Sequence, residues 1–217
     1  LSLAWHLCGR SWPRTAWVLA SAQAGVSSQD ARTRALAKPG LPSPRLFEPF
    51  TRSLLLDTHH CFFQQRGLSA HTLQRFEAGV WHGRGFLEGM AAVRLFDLRG
   101  LPLGYAGRRL DSEAARRHGK WKWPAGFPKS STLYNWHRAG PQAQRGLIVV
   151  EGAWSVMKLT QAGFPNAVAL GGTVVSPAQA GWLNRASQIV LMLDGDTYIP
   201  HLFSTQVWNY CFRSCIV

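Results

Sequence analysis

At 217 residues the chain has room for one ordinary domain or two small ones and for a sizeable core. A 46% hydrophobic share against 16% charged residues excludes an intrinsically disordered chain, and no apolar stretch reaches the roughly 20 residues of a membrane helix. Four scattered cysteines (Cys8, Cys61, Cys211, Cys215) exclude a disulfide scaffold and suit a reduced, cytoplasmic setting, while the net charge of +13 points to a polyanionic partner, above all nucleic acid. That charge is unevenly placed. Residues 147–217 hold only Lys158, Arg185 and Arg213 against Glu151, Asp194 and Asp196, so the whole excess lies upstream.

Residues 1–46 interleave Ser, Ala, Arg, Pro and Gly with stray Trp and are expected to be weakly ordered. Arg10 and Arg14 break the apolar run that a signal peptide needs, and "AKPGLPSPRLF" (37–47) reads as a Pro-restricted linker. Residues 47–82 read as helical. Phe62, Phe63 and Gln65 precede a Gly67 stop; Ser69 then caps a short helix with the stripe Leu73, Phe76 and Val80, and Gly79 is placed to end it. Residues 90–110 give two β-rich runs around Arg99-Gly100, a hairpin. Residues 111–146 read as a basic loop in which Arg116, Arg117, Lys120, Lys122 and Lys129 alternate with Trp121, Trp123, Phe127, Tyr134 and Trp136. Basic groups set among aromatic ones suit phosphates and unstacked bases; a solvated, Trp-rich loop is the plain alternative.

From Gly146 the pattern becomes α/β. "LIVV" (147–150) is a buried-type strand closed by Glu151-Gly152, and "AWSVMKLTQAG" a helix with Val156, Leu159 and Thr160 on one side and Gly163 as terminator. "NAVALGG" is a second strand, Ser176, Pro177 and Gln179 open a second helix with a capping box, and "QIVLML" is a third strand. The order β-α-β-α-β with short connections predicts parallel strands and right-handed crossovers. Strand C-termini then share one edge, where ligands of open parallel sheets bind. Glu151 ends the first strand there, and Asp194 and Asp196 end the third. Converging carboxylates repel one another, and an oxygen-lined Mg²⁺ site relieves the repulsion; the competing reading of "DGD" is an ordinary turn.

"VVEGAWSVMKLTQAGFPNAVALGGT" followed by "IVLMLDGD" resembles the Toprim domain of bacterial DnaG-type DNA primases and related phage or plasmid primase-like proteins. Upstream, "RGLSAHTLQRFEAG", "VRLFDLRGLPLGYAGRRL" and "KSSTLYN" resemble the segments that precede that domain in primases, so the resemblance covers about residues 55–196. It implies a Toprim-like parallel βαβαβ sheet (147–196) preceded by a small α+β primase-core subdomain (47–146), with 1–46 poorly patterned and 197–217 an atypical tail. It also implies a nucleotidyltransferase that makes short RNA primers on single-stranded DNA during replication, from ribonucleoside triphosphates, with a replicative helicase as a further partner. By position Glu151 is the acid/base residue and Asp194 and Asp196 hold Mg²⁺ (or Mn²⁺), while Gly152 and Gly195 let backbone approach the phosphates. Arg108, Arg109, Lys120, Lys122, Lys129, Tyr134 and Asn135 are the expected nucleic-acid or nucleotide contacts.

Two features depart from the family pattern. Closely spaced Cys/His ligands of a zinc ribbon are missing, so no zinc is expected; Cys61 beside His59 and His60 is too little for one. After Asp196 the pattern calls for another helix and strand with a further acid, whereas 197–217 carries no acid and reads as an altered or truncated end. The rival functions are a non-catalytic nucleic-acid-binding remnant and, with less support, a Toprim nuclease or topoisomerase.

Overall fold

The computed structural model describes residues 47–193 and the backbone of Gln206–Asn209, all within one unit, Leu46–Val217. The expectations for residues 1–46, Asp194, Gly195, Asp196 and most of the tail therefore lie outside the described residues. No helix among the described residues is long and apolar enough to cross a membrane.

Two short helices open the described part. In α1 (Cys61–Gln64) the His60 ring caps the Phe62 N–H, and Gly67 turns the chain with φ of 63°. In α2 (Ala70–Arg75) the Ser69 hydroxyl accepts from the Thr72 N–H, as the sequence predicts. This helix is shorter than its apolar stripe. Val80 and Gly79 belong to strand β1 (Ala78–Trp81), which pairs with β2 (Met90–Phe96), Val80 opposite Ala91. Long-range pairing overrides the helical spacing here, and Gly79 serves close packing: a Cβ on it would lie 2.7 Å from Leu56 Cβ.

The expected hairpin joins β2 to β3 (Pro102–Arg109), and Asp97 Oδ1 fixes its turn by accepting the Arg99 and Leu101 N–H groups. Residues 111–146 are more ordered than a loop. Asp111 caps α3 (Ser112–His118), strand β4 (Trp121–Lys122) pairs with β3, a 3-10 turn spans Lys129–Ser131, and α4 (Trp136–Ala139) runs into a second 3-10 turn, Gly140–Arg145. The four strands form one antiparallel sheet in the order β1-β2-β3-β4.

The second sheet follows the predicted alternation: β5 (Leu147–Val150), α5 (Ala153–Gln161), β6 (Ala167–Ala169), α6 (Pro177–Leu183) and β7 (Gln188–Met192). Its order is β6-β5-β7-β8, all parallel, with β8 (Gln206–Asn209) extending it beyond the three expected strands. Both faces of the sheet are buried, as continuous apolar strands require. Ile148, Val150, Ala167 and Ala169 face α5 and the antiparallel sheet, in a core with Phe63, Phe76, Val93 and Met157. Leu147, Val149, Val168, Ile189 and Leu191 face the other way, onto Leu133, Trp136 and Leu183. The first core joins the two sheets, so the antiparallel part is seated on the parallel one.

Candidate active site

Register sets the edge. Val150 lies opposite both Ala169 and Met192, so the chain leaves three neighbouring strands at Glu151, Leu170 and Leu193 side by side. The Leu170 N–H donates to Val150 O (3.0 Å) and the Gly171 N–H to Glu151 O (2.9 Å), which ties the two loops together. Glu151 is half-buried at this edge. Gly152 begins α5 with open space where a side chain would stand. Next in sequence after Leu193 come Asp194 and Asp196. Glu151, the expected acid/base residue, is thus the one carboxylate of the expected trio among the described residues, both expected metal ligands lie outside them, and no group of three His, Cys, Asp or Glu assembles among the described residues.

An aromatic wall lines one side of the edge. Trp154, on the first turn of α5, stacks on Trp121 at 5.5 Å and packs edge-on against Phe63. Trp121 leads to Trp123 (6.1 Å), and Trp123 stacks on Phe127 at 5.4 Å. Cations sit along this wall. Arg108, opposite Trp121 in the β3–β4 ladder, lies 5.8 Å from the Phe62 ring, and Arg66 covers the same ring at 3.8 Å. Burial, and then the neighbouring Arg66, pushes the Arg108 pKa down; neither has an acidic partner among the described residues. Lys129 is half-buried, its pKa lowered by burial, with Nζ 5.1 Å from the Trp123 ring. It borders a cleft of about 400 Å³ with Phe127, Gly172, Thr173, Ser176 and Gln179.

The other expected contacts fare differently. Lys120 is exposed. Arg109 closes the α3–β4 turn by donating to His118 O and Gly119 O, and Lys122 donates to Phe86 O at 2.8 Å. Tyr134 bridges to Ala169 through backbone bonds, stacks on Phe76 at 6.2 Å, and has its hydroxyl buried so that its pKa is pushed up. Asn135 is buried in the left-handed region (φ 66°), donating to Ala167 O at 2.9 Å. Tyr134 and Asn135 thus hold the segment against β6 from inside the molecule.

Two contributors escaped the sequence reading, Arg66 and Trp154, and a third, Gln179, was read only as a helix cap. Arg66 left a local signal, a cation just before the Gly67 turn, and Trp154 left none. Gln179 was legible as half of a capping box, yet its amide also donates to Thr132 O (2.8 Å) and Leu170 O (3.0 Å). A larger cleft, about 900 Å³, is lined by Arg99, Trp136, His137, Gln144, Trp182 and Arg185. Gln144 and Arg185 precede β5 and β7, which puts that cleft toward the opposite edge of the sheet.

Residues 145–198 match the family model for the Toprim domain. This segment is similar to a Toprim domain. Its sheet edge is the one that carries Glu151. The DNA primase of Helicobacter pylori strain J99 is 29% identical over 169 residues, covering 62% of this chain and 30% of that protein. Among solved structures, the Aquifex aeolicus primase (zinc-binding and RNA polymerase domains) aligns with a TM-score of 0.53 at 18% identity, over 63% of this chain and 43% of that one. A DnaG primase catalytic domain bound to ssDNA aligns with a TM-score of 0.50 at 23% identity, over 64% of this chain and 55% of that one. These structures show a shared fold, that of the DnaG-type catalytic core, around the segment that matches the Toprim model. It spans less than a third of the Helicobacter pylori primase.

Proposed function

We propose that this chain is a primase-like nucleotidyltransferase that joins ribonucleotides into short primers on single-stranded DNA. The observation that carries the reading is the shared edge of the Toprim sheet: Glu151 and the exit of β7 lie on neighbouring strands, flanked by Arg66, Arg108 and Lys129 along an aromatic wall. Glu151 takes the proton of a primer 3′-hydroxyl as general base. The cations, which have no acidic partner among the described residues, hold phosphates, and the half-buried aromatic wall offers ring edges and faces to unpaired bases. Asp194 and Asp196 are the oxygen donors that would hold Mg²⁺ or Mn²⁺, and a divalent ion bound there would neutralise charge on the transferred phosphoryl group. Ribonucleoside triphosphates as substrates and a replicative helicase as partner belong to the same proposal.

Extension of labelled ribonucleotides on a single-stranded template tests it, comparing the parent with Glu151→Gln and Asp196→Asn. Parent product with losses of about 100-fold or more in both variants is expected. Equal synthesis by all three overturns the catalytic assignment. DNA binding that persists in all three without product identifies a binding module.

A further inference from the structure

Lys129 and Trp123 meet at the glycine loop that follows β6. A Cβ on Gly171 would come within 3.4 Å of the Trp123 ring and 3.5 Å of Lys129 Cε, and one on Gly172 within 3.3 Å of Lys129 Nζ. Two consecutive positions without side chains let the ammonium lie against loop backbone. Lys129 has no carboxylate partner among the described residues. Trp123 is fixed between Trp121 and Phe127, so its ring offers Lys129 a rigid face.

A lysine stem has four rotatable bonds, and without a partner its ammonium wanders into solvent. The face of an indole attracts a cation, more strongly where water is excluded. We infer that Trp123 is a positioning residue, holding the Lys129 ammonium over the Gly171–Gly172 loop to receive a phosphoryl oxyanion. The anion belongs to a ribonucleoside triphosphate or to a single-stranded DNA backbone, so the inference rests on the primase-like reading. What it adds is a chain of command at this loop: the aromatic stack sets Trp123, Trp123 sets Lys129, and the paired glycines leave room for both.

Binding of ATP with Mg²⁺, and separately of a fluorescent single-stranded oligonucleotide, is measured for the full chain carrying Trp123→Leu, Trp123→Phe, Lys129→Met, or either Trp123 change together with Lys129→Met. Trp123→Leu is expected to weaken the probe seated at Lys129 by about 3- to 10-fold, and Trp123→Phe to recover most of that loss. In the Lys129→Met background Trp123→Leu is expected to add nothing, since no ammonium remains to be placed. The arm that responds, ATP or DNA, names the source of the phosphate. Equal loss from Trp123→Leu with and without Lys129 means a packing role alone and overturns the inference, as does parent-like binding by Trp123→Leu when Lys129→Met is impaired. Parent-like binding of both probes by Lys129→Met removes the anion seat itself, and with it both the inference and this part of the functional reading. If Trp123→Leu does not fold, Trp123→Phe carries the same comparison: a loss of about 2-fold present only with Lys129 supports the inference, and a loss independent of Lys129 overturns it.

Discussion

Gln179 is 2% exposed, and its side chain bonds three residues at once. Its amide nitrogen donates to Thr132 O and Leu170 O, and its oxygen accepts from the Ser176 N–H at 3.1 Å. Those bonds tie the Lys129–Thr132 turn to the exit of β6, so one side chain supports both the fold and the cleft beside Lys129. Replacement by Leu strands buried carbonyls and is expected to cost about 2–3 kcal/mol, read as a lowered thermal midpoint. Gln179→Glu keeps the acceptor but at pH 7 loses both donors and buries a charge, so it is expected to be no milder than Leu. His137 gives a second test at this scale. Burial, reinforced by Arg138 and opposed by Asp97, holds its pKa down at about 4. Above pH 6.5 the ring is neutral whether folded or unfolded and contributes nothing to pH dependence. Between pH 6.5 and 4 the unfolded chain gains a proton that the folded chain refuses, so stability falls through that window and levels off below it. In His137→Phe this part of the loss disappears, and the variant's thermal midpoint is expected to rise relative to the parent on going from pH 7 to about pH 4.5. A difference between the two that stays flat with pH sinks the assignment.

At the scale of elements, the strand β1 shows how tertiary pairing defeats a local pattern. The chain reads as a helix running to Val80 because Leu73, Phe76 and Val80 are spaced for one face. Val80 instead exchanges backbone bonds of 2.9 Å with Asp57, and Gly79 lies where a Cβ would stand 2.8 Å from Asp57 O. Gly79→Ala is therefore expected to destabilise by about 1–3 kcal/mol, because fixed backbone cannot give way. Gly181→Ala, in α6 with no atom near the added methyl, is expected to stabilise by about 0.5–1 kcal/mol. Denaturant melts of the two variants should move in opposite directions. The same contrast separates what was legible from what was not. The elements β5 to β7 could be read because their signals are local: apolar strands, a capping box, glycine stops. The hairpin turn was legible for the same reason, as Asp97 and Gly100 act within a few residues. By contrast, β4 exists through pairing of Arg108 with Trp121, and the aromatic wall through contact between Trp121 and Trp154. No local spacing encodes either. Glu151 was legible because topology alone delivers strand ends to one edge, whereas Asn135 resembled a contact residue in the string and proved to be a buried anchor.

Across the whole molecule, charge and fold are segregated. The segment from Leu147 onward carries the carboxylates Glu151, Asp194 and Asp196 in its sequence, and the antiparallel part with its basic connections supplies the cations. Self-repulsion of a +13 chain is tolerable in water, but half-buried cations such as Arg108 and Lys129 forgo solvation without an acidic partner among the described residues. A polyanion seated along this face relieves that cost, and it releases condensed counter-ions as it binds. The affinity for single-stranded DNA is therefore expected to fall linearly in log–log form with salt, the slope dropping by about 0.7 for each cation removed from the contact. Arg66→Gln, Arg108→Gln and Lys129→Met together should flatten the slope by about 2. Arg145→Gln with Arg185→Gln removes two charges from residues that precede β5 and β7, at the sheet's other edge. If binding follows the Toprim edge, that pair leaves the slope nearly unchanged, although the net charge falls by almost as much. Equal flattening per charge removed by both sets means that diffuse charge, rather than this face, attracts the strand. Anisotropy of a labelled oligonucleotide across a salt series decides between them, and it does so whether or not the carboxylate edge turns over.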